Sequence, residues 1–288
     1  MTERPTETCF ANRGQSAPQP AKQAPIGIFD SGVGGLTVLS EIEKLLPKES
    51  IVYVGDTANA PYGGKSHEEL LQHGRDIITF LLGHNVKAVV LACGSTSSTV
   101  YEQLVAEFPH IPLIDVIRPG VQACLKLTAD NPNIRIGFIA TAATVKSGLF
   151  AKLLKAQGPA LSLLTRGCPM FAPMVEAGVT HGPIAKWATE TYVADWRGNI
   201  DALVLGCTHY PLLADSLAQV LGADVQFLNF ATHTAQALEA QLAWAGSLND
   251  GAHPPEIKFY VSGDPGMFNK TARFLLRRNL DVLKLESM

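Results

Sequence analysis

The chain has 288 residues, of which 47% are hydrophobic and 17% charged, and its net charge is -3 at pH 7. That size suits one large core or two medium ones and favours two domains. The near-neutral charge gives no electrostatic pull toward nucleic acid or an anionic membrane, and no apolar run is long enough to span a bilayer. Five scattered cysteines (Cys9, Cys93, Cys124, Cys168, Cys207) lack CxxC spacing. They read as free thiols of a reducing cytosol, not as a disulfide framework. The eight histidines form no metal-ligand pattern.

Residues 1–24 mix Pro, Gln, Thr, Ser and charge with little apolar content. They are expected to be a disordered arm and, lacking a hydrophobic stretch, not a signal peptide. Pro25 to Phe29 then reads as a strand running into Asp30-Ser31-Gly32-Val33-Gly34-Gly35, with a helical pattern from Leu36 to Leu46. The glycines permit a tight turn and close backbone approach, but their spacing matches neither phosphate-binding fingerprint. Asp30 and Ser31 place a carboxylate and a hydroxyl at the strand end.

A second strand, Ile51 to Val54, leads into the turn-rich loop Gly55 to Gly63, which contains Tyr62. Ser66 and Glu69 form a capping box for a helix reaching about Leu82. The strand Ala88 to Leu91 delivers Cys93, and a helix is expected from about Ser97 until just before Pro109. A strand from Ile111 to Val116 and a helix from Pro119 to Thr128 follow.

After the polar break Asn131-Pro132-Asn133 the pattern restarts, with Ile134 to Ala140 followed by Thr141. Cys168-Pro169 and Met174 to Gly178 are read as a loop region, where Glu176 is either functional or a solvated charge. The strand Ala202 to Leu205 ends at Gly206, with Cys207, Thr208 and His209 on the turn and a helical pattern opening at Tyr210-Pro211. A strand from Asp224 to Leu228, a helix through Leu238, a strand from Ile257 to Val261 and a helix around Phe268 to Leu275 close the chain. The last elements are expected to return to the first sheet.

Cys93 and Cys207 thus stand at the ends of two similar strands, 114 positions apart. Either alone reads equally well as a small buried hydrophobe. Together they suggest a duplicated α/β unit whose two thiols face one another across a cleft. A base on one face of a carbon and an acid on the other is the arrangement that inverts a Cα. Asp30 beside one thiol and His209 beside the other would tune these protons. With no Lys or Arg in the turns, substrate carboxylates would be held by backbone amides and by Ser31, Ser95 and Thr208.

The segments GIFDSGVGGLTVL, YVGDTANAPYGGKS, CPMFAPMVEAG, LGCTHYPLL and VSGDPGMFNKTARFLL, with the Cys93 segment, resemble the glutamate racemase family within the aspartate/glutamate racemase superfamily. The resemblance runs from about Pro25 to Leu280. It implies two flavodoxin-like, doubly wound parallel-sheet α/β domains with the active site between them. The implied division is 25–117 plus 229–288 for a discontinuous first domain and 118–228 for the second. It implies Cys93 and Cys207 as the acid/base pair, assisted by Asp30, His209 and Glu176. Substrate contacts carry over to Asp30, Ser31, Tyr62, Gly63, Gly94, Ser95, Thr208 and His209. By the same resemblance Cys93 serves the D form and Cys207 the L form, no cofactor or metal is required, and the D-glutamate product feeds peptidoglycan in a bacterial cytoplasm. The implied partner is a small-molecule substrate alone, and a homodimer is left open.

Three departures stand out. The family's Cys-Asn-Thr is Cys93-Gly94-Ser95 here, its Ile-Asp-Ser is Leu228-Asn229-Phe230, and Asp115 stands where glycine is usual. If the missing Asn weakens binding, Gly94→Asn is expected to lower KM. Competing readings are a racemase of aspartate or a related amino acid, a racemase-fold binding protein with little catalysis, and a thiol hydrolase needing only Cys207 and His209.

Overall fold

The computed structural model describes residues 22–157 and 162–285. Short Val-, Ile- and Leu-rich runs bounded by polar turns become parallel strands, as expected where both sheet faces are covered. Strands β1 (Ile26–Asp30), β2 (Ile51–Gly55), β3 (Ala88–Leu91) and β4 (Leu113–Asp115) belong to one sheet, and β5 (Arg135–Ala140), β6 (Ser162–Gly167), β7 (Ala202–Leu205) and β8 (Gln226–Asn229) to another. The late strands β9 (Ile257–Val261) and β10 (Val282–Lys284) lie in the first sheet, whose order is β10-β9-β2-β1-β3-β4. The second sheet has the order β6-β5-β7-β8. In both, a central strand pairs directly with the strand that leads to a cysteine: Phe29 aligns with Leu91, and Ile139 with Leu205.

The helices are α1 (Leu36–Leu45), α2 (His67–Gly83), α3 (Gly94–Thr99), α4 (Tyr101–Glu107), α5 (Ile117–Asp130) and α6 (Ala142–Ser147). They continue with α7 (Leu149–Gln157), α8 (Phe171–Glu176), α9 (Gly182–Val193), α10 (Ala214–Leu221), α11 (Phe230–Trp244) and α12 (Pro265–Leu276). Helix α11 packs on α1 and α5, and α5 packs on α7. One apolar cluster therefore runs from Ile28, Leu39 and Val90 through Val121 and Phe230 to Phe138 and Val204, joining both sheets. Each such side chain contributes roughly 1.5–3 kcal/mol of burial, so the two sheets are fused through a common interior. The opposite faces have separate clusters, around Phe29, Leu81 and Leu104 on the first sheet and Leu203, Trp196 and Leu217 on the second.

The Ser66–Glu69 capping box starts α2 as the sequence predicts. Other boundaries differ for local reasons. The predicted helix from Ser97 begins earlier, directly after Cys93, and breaks at Val100 into α3 and α4. The expected strand 111–116 shrinks to β4, because Asp115 turns its carboxylate to the first turn of α5. Its Oδ1 accepts from the amides of Ile117 and Arg118, and its Oδ2 pairs with the Arg118 guanidinium at 2.8 Å. Met174–Gly178, expected as loop, is the end of α8 and its turn, with Met174 and Val175 buried. Strands β6 and β10 were not anticipated, since both lie at sheet edges with largely exposed side chains and carry no strong apolar signal.

Of the expected arm, residues 1–21, with Cys9, lie outside the described residues. Lys22 to Ala24 are ordered, with the Lys22 carbonyl accepting from Lys87 Nζ at 2.7 Å. Among the described residues no helix is long and apolar enough to cross a membrane.

Candidate active site

The turn after β1 meets the turn after β7 through Asp30 and Thr208, and the turn after β3 meets the turn after β5 through Ser95 and Thr141. Cys93 is the extended residue capping α3 (φ -72°, ψ 117°). Cys207 follows β7 and Gly206, but the expected helix at Tyr210 is first a 3-10 turn (Tyr210–Leu213), with α10 beginning only at Ala214. The two thiols thus have different settings: one at a helix start, the other facing a histidine. Both are buried.

The Cys207 side is a chain of three groups. Its Sγ lies 3.6 Å from His209 Nδ1, and His209 Nε2 lies 2.7 Å from Glu176 Oε1. Glu176 comes from the end of α8 and also accepts the Val33 amide of the first turn at 3.3 Å. On the other side, Asp30 Oδ1 accepts the Gly32 amide at 2.9 Å, and Oδ2 accepts the Thr208 hydroxyl at 3.2 Å. Thr37 donates to the Thr208 carbonyl at 3.0 Å, and Ser95 and Thr141 hydroxyls pair at 3.0 Å. The capping position of α1 is Gly35, five residues beyond Asp30.

The glycines of the first turn serve close approach to the second half. A Cβ on Gly32 would lie 2.5 Å from Glu176 Oε1, and one on Gly34 would run into His209 and Thr208. Tyr53 donates to the Gly32 carbonyl at 2.8 Å from below, fixing the turn.

Burial, aided by the Asp30 charge, pushes the Cys93 thiol up to about 12. His209 is buried, which by itself disfavours its charged form, yet the hydrogen bonds to Cys207 and Glu176 outweigh burial and hold it well above the ordinary histidine range. Burial also raises Asp30, against the lowering effects of His209 and of the Gly32 amide. The sequence signal missed Thr96. Its buried hydroxyl has no oxygen or nitrogen partner among the described residues, and its amide and hydroxyl both favour the Cys93 thiolate.

The remaining residues singled out by sequence fall around this centre. Ser31 is buried beside Asp30. Tyr62 is buried too, its hydroxyl donating to Asp56 Oδ2 at 2.5 Å. Asp56, not anticipated, also accepts from Asn59 and Ser262 and holds the loop that carries Tyr62 and Gly63. A Cβ on Gly63 would meet Thr141 at 3.2 Å. Two of the three sequence departures have structural reasons: Asp115 caps α5, and Asn229 caps α11 by accepting the Ala231 amide at 2.9 Å. At the third, a Cβ at position 94 would lie 2.8 Å from the Gly206 carbonyl oxygen, so a side chain there requires a local shift.

Residues 26–238 match the family model described as Asp/Glu/hydantoin racemase. The glutamate racemase of Geobacter metallireducens is 38% identical over 262 residues, covering 90% of this chain and 96% of that one. The crystal structure of the Francisella tularensis glutamate racemase in complex with D-glutamate superposes with a TM-score of 0.84 at 32% identity, over 92% of this chain and 98% of that one. The Thermus thermophilus glutamate racemase structure, in complex with beta-chloro-D-alanine, gives 0.82 at 36% identity over 92% and 98%. With the family model spanning most of the chain and relatives of this identity covering nine-tenths of it, the chain belongs to the Asp/Glu/hydantoin racemase family and is an amino-acid racemase.

Proposed function

We propose that this racemase interconverts L- and D-glutamate by two-base proton transfer between Cys207 and Cys93, without a cofactor, and supplies D-glutamate for peptidoglycan in a bacterial cytoplasm. The observation that carries the reading is the asymmetry of the two buried thiols across one seam. Cys207 Sγ faces His209 Nδ1 at 3.6 Å, and the hydrogen bonds to Cys207 and Glu176 hold that imidazole above the ordinary histidine range against its burial. Cys93, pushed up to about 12 by burial and by Asp30, is kept as a thiol. Inversion requires one member of such a pair to act as base while the other acts as acid.

In the L-to-D direction the Cys207 thiolate takes the Cα proton, the electron pair remains on the Cα and its carboxylate, and the Cys93 thiol delivers a proton to the opposite face. The pair ends with its protonation exchanged, ready for the D isomer. His209 is placed to hydrogen-bond Cys207 Sγ, and the amide and hydroxyl of Thr96 favour the Cys93 thiolate left behind. Backbone amides of the turns, with Ser31, Ser95 and Thr208, are placed to meet the substrate's carboxylates. Glutamate as the substrate is supported by the relatives' names and by the D-glutamate in the Francisella structure.

The test is a proton NMR and polarimetric time course with L-glutamate and, separately, L-aspartate in D₂O. Loss of the glutamate Cα proton together with optical rotation is the expected result. Exchange with aspartate alone would change the substrate and keep the chemistry, whereas no exchange with either would overturn the reading.

A further inference from the structure

Strand β9 comes from the last third of the chain and pairs with β2, Val261 against Gly55. The bonding continues past the end of the sheet. The Ser262 amide donates to the Gly55 carbonyl at 3.1 Å, and the Gly263 amide donates to Thr57 Oγ1 at 3.0 Å. Ser262 Oγ accepts from the Ala58 amide at 3.0 Å and donates to Asp56 Oδ1 at 2.6 Å. The loop that leads to Tyr62 and Gly63 is thus fastened at its start to a segment two hundred positions away.

Asp56 is fully buried, so its carboxylate depends on such donors. It stands between two sets of partners. Ser262 approaches Oδ1, Tyr62 donates to Oδ2 at 2.5 Å, and Asn59 Nδ2 lies within 3.1 Å of both oxygens. On the Oδ2 side His73 of α2 stacks on the Tyr62 ring, with centroids 5.3 Å apart. Its Nδ1 is 3.8 Å from Oδ2, and its buried Nε2 has no hydrogen-bond partner among the described residues. Burial, with the charge of Asp56, raises the Tyr62 hydroxyl above its ordinary range, so it remains a donor. The Asp56 amide donates in turn to the Asp30 carbonyl at 2.9 Å. One carboxylate therefore ties together the Asp30 turn, the Tyr62–Gly63 segment and the end of β9.

We propose that Ser262 is a positioning residue for substrate binding: from the end of β9 its hydroxyl fixes the Asp56 carboxylate and the Ala58 amide, and so sets where the loop presents Tyr62 and Gly63. This rests on the glutamate racemase reading above, with Tyr62 and Gly63 as substrate contacts. Without the hydroxyl, Oδ1 loses its shortest bond and the carboxylate turns toward Tyr62 and His73, carrying the loop with it. The thiols stand on other turns and keep their places, so binding suffers more than proton transfer.

The experiment compares wild type, Ser262→Ala and Ser262→Thr, the last of which keeps the hydroxyl. Steady-state kinetics with L- and D-glutamate give KM and kcat. Amide hydrogen exchange without substrate, read by mass spectrometry, follows residues 56–64. Ser262→Ala is expected to raise KM severalfold for both isomers with kcat nearly unchanged, and to speed amide exchange over 56–64 severalfold. Ser262→Thr is expected to stay near wild type in both. An unchanged KM, a fall in kcat as large as the rise in KM, or a Ser262→Thr as impaired as Ser262→Ala would each overturn the inference. If Ser262→Ala does not fold, Thr57→Val removes the neighbouring acceptor of the Gly263 amide and must raise KM and amide exchange in the same direction; no change in either overturns it. Wild-type protein that exchanges the Cα proton of neither glutamate nor aspartate refutes the functional reading instead, and amide exchange over 56–64 then decides whether Ser262 holds the loop.

Discussion

The hydroxyl of Thr208 donates to Oδ2 of Asp30 across 3.2 Å, linking the residue after Cys207 to the carboxylate that bears on Cys93. Asp30 also feels the His209 charge. The protonation of Cys93 is therefore coupled to Asp30, and that of Asp30 to His209, so the titration steps of these groups belong to the set as a whole. Because the racemisation equilibrium constant is unity, changes in this set must alter kcat/KM equally in both directions.

Removal of either thiol tests the pair directly. Cys93→Ser and Cys207→Ser are each expected to lower racemisation by about 10²–10⁴-fold, the usual contribution of a positioned proton donor or acceptor. Stereospecific activity surviving in Cys93→Ser but not in Cys207→Ser would instead favour one-thiol chemistry. Chiral chromatography of L- and D-glutamate turnover provides the measurement.

Loss of the imidazole should shift a pH limb. The hydrogen bonds to Cys207 and Glu176 hold His209 above its ordinary value, against the opposing effect of burial, and its Nδ1 faces Cys207 Sγ at 3.6 Å. In His209→Gln that titratable partner of Cys207 is gone, and the acid limb of kcat/KM is expected to move upward. A limb that stays in place, or moves down, would show that His209 does not support the thiolate.

Thr96→Val removes the hydroxyl that favours the Cys93 thiolate while keeping the side chain's shape. A hydrogen bond to a charged group contributes about 1.5–3 kcal/mol, so racemisation should fall roughly 10–100-fold with little change in KM. Circular dichroism should be unchanged.

Far from the site, Lys87 and Glu49 form an ion pair at 2.5 Å, both buried, and Lys87 also donates to the Lys22 and Ser247 carbonyls. Lys87→Met leaves Glu49 buried without its cation and should cost about 3–5 kcal/mol of stability. Urea unfolding followed by tryptophan fluorescence measures it, and folded variant should retain the wild-type kcat.

Pyridoxal phosphate is expected neither to stimulate turnover nor to produce a new absorption band on addition. A dependence on it would contradict proton transfer by the thiols alone.

Much of this protein can be read locally. Apolar runs such as Ala88–Leu91 and Ala202–Leu205 are buried strands because a parallel sheet covered on both faces needs continuous apolar residues. The Ser66–Glu69 box marks a helix start because its bonds are made within three residues. The matching positions of Cys93 and Cys207 at strand ends pointed to the site through repetition in the chain. Edge strands β6 and β10 were illegible, since their exposed side chains leave no apolar pattern.

The contacts across the seam were decided by tertiary structure. Glu176 looks like a solvated charge in sequence, and only the packing of α8 brings it to His209 and Val33. Gly94 reads as a lost binding group, and only the fold shows the Gly206 carbonyl against it, backed by Phe138. Sequence determines which residues prefer burial, turns or caps, because those preferences act over a few positions. Which residues meet across a hundred positions depends on how the shared interior docks the two sheets.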